Sequence, residues 1–457
     1  MAVYLRTGWR LRTLGKRTYS SGLLDKPGHS VRFLPQVDLA KKFEEISKLK
    51  ENIELRKIEM DPVKLKSLWE FFKYLESTKL QLEKKKKELS THMQDIMKVG
   101  NDNEVKQEMD KLKIQLKLVK EDLKSLLNAF WEVEEKVTLN SLLLPNELHK
   151  DTPEKEDKII KEFKTRPEIV QPDSHIEIGR QLGILDYKDA SCYYLKKNAA
   201  LFELAQTYHC AEGLKKNNFI TFCNPDFIRS SIVEGCGINH TDPNAVFTIS
   251  DPMNAKNPHY RLHLVGGASI YPFCGFHAGY SVDFTSLPLK YYTIGRQYNP
   301  STNENDEDSS GLFDAYQRTT TELFILTADN DSDMMEAFDD TLKLLMAFYE
   351  ELGCHFRVVY LNASALYGWE CLRASFQMYS CHQQKYVEVG KLSISDTYIS
   401  ERLDMCYKMV EKDKKIRFMK VLSGTAIDIA SVLGCLLEEH GNNVEEFLAP
   451  HCLKFYS

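Results

Sequence analysis

Hydrophobic residues recur every three or four positions in two long stretches of the first third of the chain. Asp61-Pro62 precedes the first stretch and is typical of a helix start, because Asp caps a helix and Pro fits its first turn. The apolar positions of the two stretches are Leu65, Leu68, Phe72, Leu75, Leu82 and Leu89, then Val105, Met109, Leu112, Leu116, Val119, Leu123, Leu126, Phe130, Val133 and Val137. Gly100-Asn101-Asp102-Asn103 separates them. The pattern predicts a long antiparallel two-helix coiled-coil arm over residues 61–138.

The remainder of the chain mixes helical and strand patterns without regular βαβ alternation. A proline-containing linker is predicted for residues 139–175. Helical periodicity occurs at 201–214, at 334–352 and after Gly424, while strand patterns occur at 219–222, 356–361, 375–379 and 386–391. Residues 292–327 indicate two strands joined by a long polar loop. We therefore predict the α+β class, with helices flanking an antiparallel sheet over residues 176–457.

Composition narrows the class of protein. The 457 residues are 43% hydrophobic and 28% charged, which is typical of a folded globular chain. No apolar run approaches the ~20 residues of a membrane helix, so no membrane association is expected. The net charge of −6 gives no overall attraction to nucleic acid. The 11 cysteines form no Cys-x-x-Cys pair, and His209, His240, His263 and His277 lack metal-ligand spacing, so we predict no metal site and no cofactor.

The N-terminus differs in composition from the rest. Its cations are Arg6, Arg10, Arg12, Lys16 and Arg17, and the first acidic residue is Asp25. An arginine-rich start without acids predicts a mitochondrial transit peptide over residues 1–20, and hence the mitochondrial matrix. The alternative is a basic tail. Residues 21–60 are predicted to pack under the arm.

Lysines are concentrated toward the tip of the predicted arm. They include Lys79, Lys84, Lys85, Lys86, Lys87, Lys113, Lys117 and Lys120. Lys79 and Lys86 replace leucines in the first apolar stripe. Such a group is ordinarily a solvated face, and the alternative is a surface that contacts the phosphates of RNA.

Several segments, in their order along the chain, resemble seryl-tRNA synthetases, which are class II synthetases. "NSLLLPNELHK" resembles the segment after that family's arm, and "HIEIGRQLGILDYKDA" resembles its approach to the catalytic domain. The helix from Leu201 and the strand ending near Pro225 resemble motif 1, the dimer element. Residues 292–327 resemble motif 2, and "VLSGTAIDIASVLGCLLEE" resembles motif 3. The resemblance implies a tRNA-binding arm followed by a catalytic-type domain.

The same resemblance implies an ATP and serine pocket that has lost its chemistry. Arg296 matches the first residue of the motif 2 Arg-x-Glu, but Tyr298 replaces the Glu. Family arginines fall on Asp314 and Ser431, the adenine-stacking Phe falls on Arg318, and the serine-binding Thr-x-Glu falls on Ala268 and Ile270. Glu322 and Glu388 match family acids, and Arg402 matches a family arginine. ATP sites need guanidinium groups, so we expect no catalytic residue here.

The resemblance extends to a catalytically silent seryl-tRNA synthetase-like protein of insect mitochondria. It implies a non-catalytic subunit that pairs with the active mitochondrial seryl-tRNA synthetase and supports mitochondrial translation and genome maintenance. Mitochondrial tRNA-Ser or another mitochondrial RNA, and a Lon-type matrix protease, are the other implied partners. The expected dimer element comprises Leu201, Leu204, Tyr208, Phe219, Phe222 and Pro225. The alternatives are an RNA-binding homodimeric pseudoenzyme and a residual serine-tRNA ligase.

Overall fold

The computed structural model describes residues 37–99, 103–169, 172–189, 191–250, 261–300, 311–409 and 417–453. The predicted transit peptide and the acidic loop residues Glu304, Asp306, Glu307 and Asp308 lie outside them. The described chain divides into two compact units. The first contains residues 37–53 and 58–144, and the second contains residues 54–57 and 145–453.

The first unit is helical and contains the predicted arm. Its helices are α1 (Leu39–Glu44), α2 (Ile46–Leu55), α3 (Pro62–Val99) and α4 (Asn103–Leu142). Asp61 caps α3, since its Oδ1 accepts the backbone N–H of Val63 at 2.9 Å. The predicted helix start is thus confirmed, while α4 continues past residue 138 to Leu142.

The base of the arm has a hydrophobic core. Val37, Phe43 and Ile53 from the preceding segment are buried against arm residues that include Phe72 and Val137. The rings of Phe72 and Phe130 lie 5.3 Å apart and fix the register of the helix pair. Residue 86, which is 14 positions after Phe72, is therefore level with residue 116, which is 14 positions before Phe130.

The second unit is built on an antiparallel-dominated sheet, so the predicted α+β class is confirmed. Its strands are β1 (Lys158–Phe163), β2 (Leu185–Asp189), β3 (Cys192–Leu195), β4 (Ile220–Thr221), β5 (Phe227–Arg229), β6 (Phe247–Thr248), β7 (Leu262–Leu264), β8 (Ser281–Asp283), β9 (Leu289–Tyr298), β10 (Gln317–Thr327), β11 (Phe356–Tyr360), β12 (Leu372–Ser380), β13 (Lys385–Asp396), β14 (Cys406–Lys408), β15 (Arg417–Phe418) and β16 (Lys420–Asp428). Its helices are α5 (His175–Gln181), α6 (Lys197–Lys216), α7 (Ser230–Gly235), α8 (Ile270–His277), α9 (Asp331–Leu352), α10 (Tyr398–Leu403), α11 (Ile429–His440) and α12 (Val444–Leu453).

Within the described residues, eight strands form the main sheet in the order β1-β11-β12-β13-β16-β10-β9-β4. All neighbours are antiparallel except β4 and β9. Helices α6, α9 and α11 contribute buried side chains to one core with this sheet. The first strand corrects the predicted linker, because residues 158–163 pair with β11 at the sheet edge.

The helix predicted to open after Gly424 begins later. Gly424 lies inside β16, where a Cβ would collide with the carbonyl oxygen of Lys391 on β13. The helix opens at Ile429, after Asp428, whose Oδ1 accepts the backbone N–H groups of Ala430 and Ser431 at 3.1 and 3.3 Å. Ala426, which follows Gly424, is therefore a strand residue.

Among the helices of the described residues, none combines the length and the apolar character needed to cross a membrane.

Candidate functional site

A cavity of about 430 Å³ lies on the main sheet, beside the start of α8. Of the residues predicted to form the vestigial pocket, five line it: Ile270, Asp314, Arg318, Glu322 and Glu388. On β10 the side chains alternate, so Arg318 and Glu322 face the cavity whereas Leu323 enters the core. Strands β9 and β10 of the predicted motif 2 thus form part of the cavity wall.

Arg296 and Tyr298 do not line this cavity, which corrects their predicted position. In the β9–β10 register, Arg296 pairs with Thr319 and Gln297 pairs with Arg318. Since alternate residues face opposite sides of a sheet, Gln297 lines the cavity and Arg296 faces away. The Arg296 guanidinium donates to Thr319 Oγ1 at 2.6 Å and lies 3.6 Å from Glu203 of α6. Gln297 and Asn299 therefore take the two cavity-facing places.

Ser431 lies beneath the cavity wall rather than on it. It is fully buried, and its hydroxyl donates to Asp428 Oδ2 at 2.9 Å. Arg318 donates to the same oxygen at 2.9 Å. Asp428 therefore both caps α11 and neutralises this guanidinium. Burial alone would lower the pKa of Arg318, but Asp428 raises it above its usual value. The guanidinium of Arg318 is therefore already paired within the protein.

Ala268 also lies outside the cavity lining. It is fully buried, its N–H donates to the Arg296 carbonyl at 3.2 Å, and its own carbonyl accepts the Thr320 hydroxyl at 3.2 Å. It thus joins the segment before α8 to the hairpin through the backbone. Ser269 and Ile270 reach the cavity instead, and neither carries the carboxylate of the family tract.

A second buried cation, Arg373 of β12, lies behind the cavity and is paired with its acids. Arg373 forms a short ion pair with Glu388 and approaches Glu370 at 3.8 Å. Glu388 also accepts the Ser375 hydroxyl at 2.6 Å. Burial opposes ionisation of Glu388, yet Arg373 and Lys391 hold its pKa below the usual value. These contacts identify an internal charge cluster that motif comparison did not predict.

Glu322 differs from Glu388 because it has no adjacent guanidinium among its described contacts. Its Oε2 accepts the Thr425 hydroxyl at 2.8 Å, and the side chain is almost completely buried. Burial raises the pKa of Glu322 to about 7, with Lys391 and Thr425 opposing the shift. This carboxyl is therefore poised between its neutral and charged forms near physiological pH.

The charge balance of the cavity is acidic. Its described lining includes five carboxyl side chains, Asp314, Glu322, Glu370, Glu388 and Asp428, against two cations, Arg318 and Lys391. Lys391 lies 5.3 Å from the Tyr367 ring centroid. An ATP triphosphate of about four negative charges is bound through arginines and metal ions that face it. The described lining offers the opposite arrangement.

The predicted dimer element divides into buried and exposed residues. Leu201 and Phe219 pack into the core. Leu204 and Tyr208 lie one turn apart on α6, and each is 50% exposed. Phe222 contacts Phe276, which is itself exposed, while Pro225 is exposed. The exposed members lie near β4, an edge of the main sheet.

The predicted RNA-binding lysines also fall into groups. Lys79 is half-buried, and its Nζ lies 4.5 Å from the Phe130 ring centroid, so it covers the arm core. The consecutive group, Lys84, Lys85, Lys86 and Lys87, is exposed but spans about 300° around α3. Lys113, Lys117 and Lys120 are exposed at helical spacing and form one face of α4, although Lys113 pairs with Asp110 at 2.9 Å.

Sequence reasoning missed Gln297, Asn299, Glu370, Arg373 and Lys391 at or behind the cavity. Counting outward from the hairpin register would have found Gln297, whereas Arg373 and Lys391 lie on β12 and β13, a second hairpin whose register the sequence did not indicate. No local signal indicated that Arg373 would pair with Glu388 of β13 and with Glu370, which lies just before β12.

Part of the second unit matches the model of a known family. Residues 271–440 match the model of the "tRNA synthetase class II core domain (G, H, P, S and T)". The fold is shared with solved seryl-tRNA synthetases. That of Pyrococcus horikoshii, complexed with ATP, has a TM-score of 0.76 at 18% identity, over 91% of this chain and 98% of that one. The cytoplasmic enzyme of Naegleria fowleri, in complex with AMP, has a TM-score of 0.72 at 19% identity, over 90% and 95%.

Individual proteins with similar sequences match over most of the chain. The chain is 25% identical to the serine--tRNA synthetase-like protein Slimp of Drosophila melanogaster, over 91% of this chain and 87% of that protein. It is 26% identical to the mitochondrial serine--tRNA ligase of Mus musculus, over 93% and 83%. It is 27% identical to the serine--tRNA ligase of Treponema denticola, over 90% and 97%. The predicted resemblance to seryl-tRNA synthetases and to an insect seryl-tRNA synthetase-like protein is therefore confirmed.

Proposed function

We propose that this protein is a non-catalytic seryl-tRNA synthetase paralogue of the mitochondrial matrix, which pairs with the active mitochondrial seryl-tRNA synthetase. The observation that carries the proposal is that the guanidiniums in and behind the cavity are already paired. Arg318 is paired with Asp428, and Arg373 is paired with Glu370 and Glu388. Arg296 faces away from the cavity, so none of these guanidiniums is presented to a triphosphate. Removing one such donor lowers rates on the order of 10²–10³-fold.

Serine-dependent exchange of pyrophosphate into ATP tests catalytic silence. We expect no exchange above background, where an active mitochondrial seryl-tRNA synthetase serves as the positive control under the same conditions. Calorimetry with ATP and with a seryl-adenylate analogue gives the second readout, and we expect no binding. Exchange that depends on serine would instead establish the residual ligase.

The exposed apolar surface of α6 and β4 supports the partner role. Ile220 on β4 is 51% exposed and lies on an edge strand, next to an aromatic group formed by Phe222, Phe276 and Tyr280. An open strand edge beside exposed apolar side chains is a typical association surface. The mitochondrial relatives favour the active mitochondrial enzyme as the partner and the matrix as the location.

Co-expression with the active enzyme tests this pairing. We expect a 1:1 complex that Ile220→Glu abolishes. Ile159→Glu is the matched control, because Ile159 is 54% exposed on β1, the opposite edge strand of the same sheet. Equal loss for both variants, or no complex at micromolar concentration, would reject the surface. A stable complex of the chain with itself alone would favour the homodimeric alternative.

The arm supports a second, compatible role in RNA binding. Lys113, Lys117 and Lys120 form an exposed basic face on α4, level with the lysines of α3 along the hairpin. Affinity purification from mitochondria, with sequencing of the bound RNA, tests tRNA-Ser as the ligand. The same purification tests the Lon-type protease as a partner, and its absence would remove that expectation.

A further inference from the structure

Three potential metal ligands converge where the end of α11 meets the start of β11. They are Cys354, Glu439 and His440, and one donor atom from each lies within 4.8 Å of the others. Cys354 is buried, and its Sγ is 3.7 Å from His440 Nε2. The group is separate from the cavity on the main sheet, whose lining contains none of the three.

The spacing of sulfur and nitrogen fits a shared ion. Zinc binds thiolate at about 2.3 Å and imidazole at about 2.0 Å, so tetrahedral ligands of these types lie roughly 3.6 Å apart. The observed 3.7 Å needs almost no movement of either side chain. Sulfur, nitrogen and carboxylate oxygen together form a donor set that zinc accepts.

The surrounding contacts hold the ligands in place. The His440 ring stacks on Phe447 of α12, with centroids 4.0 Å apart. The neighbouring acid, Glu438, is committed elsewhere, because it contacts His175 Nδ1 at 2.6 Å and accepts the N–H of His382 at 3.1 Å. Glu439 is thus the carboxylate that α11 presents to Cys354.

A positive charge lies near the three ligands. The nearby charge is Lys164, an exposed residue whose ammonium donates to the Gly353 carbonyl and opposes a bound cation.

We propose that Cys354, Glu439 and His440 form a zinc site with three protein ligands and a fourth position open to water. Zinc would join the C-terminal end of α11 to the start of β11, two segments that are distant in sequence. The site goes beyond the proposed partner function and does not depend on it.

Metal binding to the full chain tests the site. Protein freed of metal by dialysis is titrated with Co²⁺ and then with Zn²⁺. We expect one Co²⁺ per chain, visible bands of tetrahedral geometry and a thiolate-to-cobalt charge-transfer band, all displaced by Zn²⁺. Cys354→Ser should remove the charge-transfer band and weaken Zn²⁺ binding on the order of 100-fold, and Glu439→Gln on the order of 10-fold.

Two further variants make the test specific. Cys223→Ser removes an exposed thiol elsewhere and should leave the band unchanged. Lys164→Met should tighten Zn²⁺ binding several-fold, because it removes a positive charge beside the ion. A band that survives in Cys354→Ser, a band lost in Cys223→Ser, or the absence of bound metal at micromolar free Zn²⁺ would overturn the proposal. Unchanged Zn²⁺ stabilisation of Cys354→Ser in thermal unfolding would overturn it as well.

Discussion

The arm and the cavity contain cations in contrasting arrangements. On the arm, Lys117 and Lys120 extend from an exposed helix face. In and behind the cavity, Arg318 and Arg373 are mostly buried, and each is bound to carboxylates from neighbouring elements. The number of cations therefore does not determine affinity for phosphate. A guanidinium that is already paired with carboxylates inside the protein is not available to bind a ligand.

Removal of Arg373, the buried cation behind the cavity, should give the largest effect on stability. Arg373→Met leaves Glu370 and Glu388 without their buried partner, so the free energy of unfolding should fall by about 3–5 kcal/mol. Urea denaturation measures this. Lys343→Met is the control, because its 3.7 Å pair with Asp340 is exposed and should contribute less than about 1 kcal/mol. Similar small losses for both variants would show that the cavity acids are well solvated.

The next effect is the pH dependence of stability caused by Glu322. Burial raises its pKa from 4.5 to about 7, so the folded state holds a proton that the unfolded state releases. Stability should therefore fall as pH rises across this window, by up to about 3 kcal/mol relative to Glu322→Gln. Urea titrations of both proteins at several pH values measure the difference.

Glu388 provides the control of opposite sign. Its pKa is lowered in the folded state, so its contribution is present above the unfolded-state pKa and is lost as pH falls. The difference between wild type and Glu388→Gln should therefore shrink toward acid. The same slope for both glutamates would contradict the assignment of their environments.

On the arm we expect a smaller effect in free energy. Reversal of Lys113, Lys117 and Lys120 to Glu should weaken RNA binding about tenfold or more and reduce the salt dependence by roughly 2 in log–log slope. Fluorescence anisotropy over a salt series measures both. Reversal of Lys48, Lys64 and Lys136, exposed residues toward the base, is the matched control. Equal losses in the two triple variants would indicate non-specific attraction.

The smallest effect is expected for the four consecutive lysines. Because Lys84 to Lys87 surround α3, no RNA strand contacts all of them, and each single Ala variant should change affinity by no more than about twofold. The same anisotropy measurement applies. A large loss confined to one of the four would locate the RNA path on that side of α3.

The arm was predictable because its information is local. Heptad spacing, the Asp61 cap and the intervening polar turn are each readable within a few residues, and they fix two helices and their antiparallel order. The segment "KIIKEF" of β1 falls within the predicted proline-containing linker, and only its pairing with β11 makes it a strand. Sheet order depends on such distant partners.

Residues that line the cavity could be predicted only where the motif match and the strand register placed them on the same face of the sheet. Asp314, Arg318, Glu322 and Glu388 line it as the resemblance implied. Arg296 and Tyr298 were expected to line the pocket, but they do not line this cavity. Residues one position apart on a strand lie on opposite faces of the sheet. The pairing of Arg373 with Glu388 depends on the register of the β12–β13 hairpin, and the approach of Cys354 to His440 joins residues that are distant in sequence.

Asp428 has a consequence for how this chain could change over time. One carboxylate caps α11, holds the Ser431 hydroxyl and binds Arg318. Replacing Arg318 alone by an aromatic residue would strand a buried negative charge, and replacing Asp428 alone would uncap the helix. A change at position 318 therefore requires concerted substitutions, which makes this arrangement difficult to alter by single tolerated mutations.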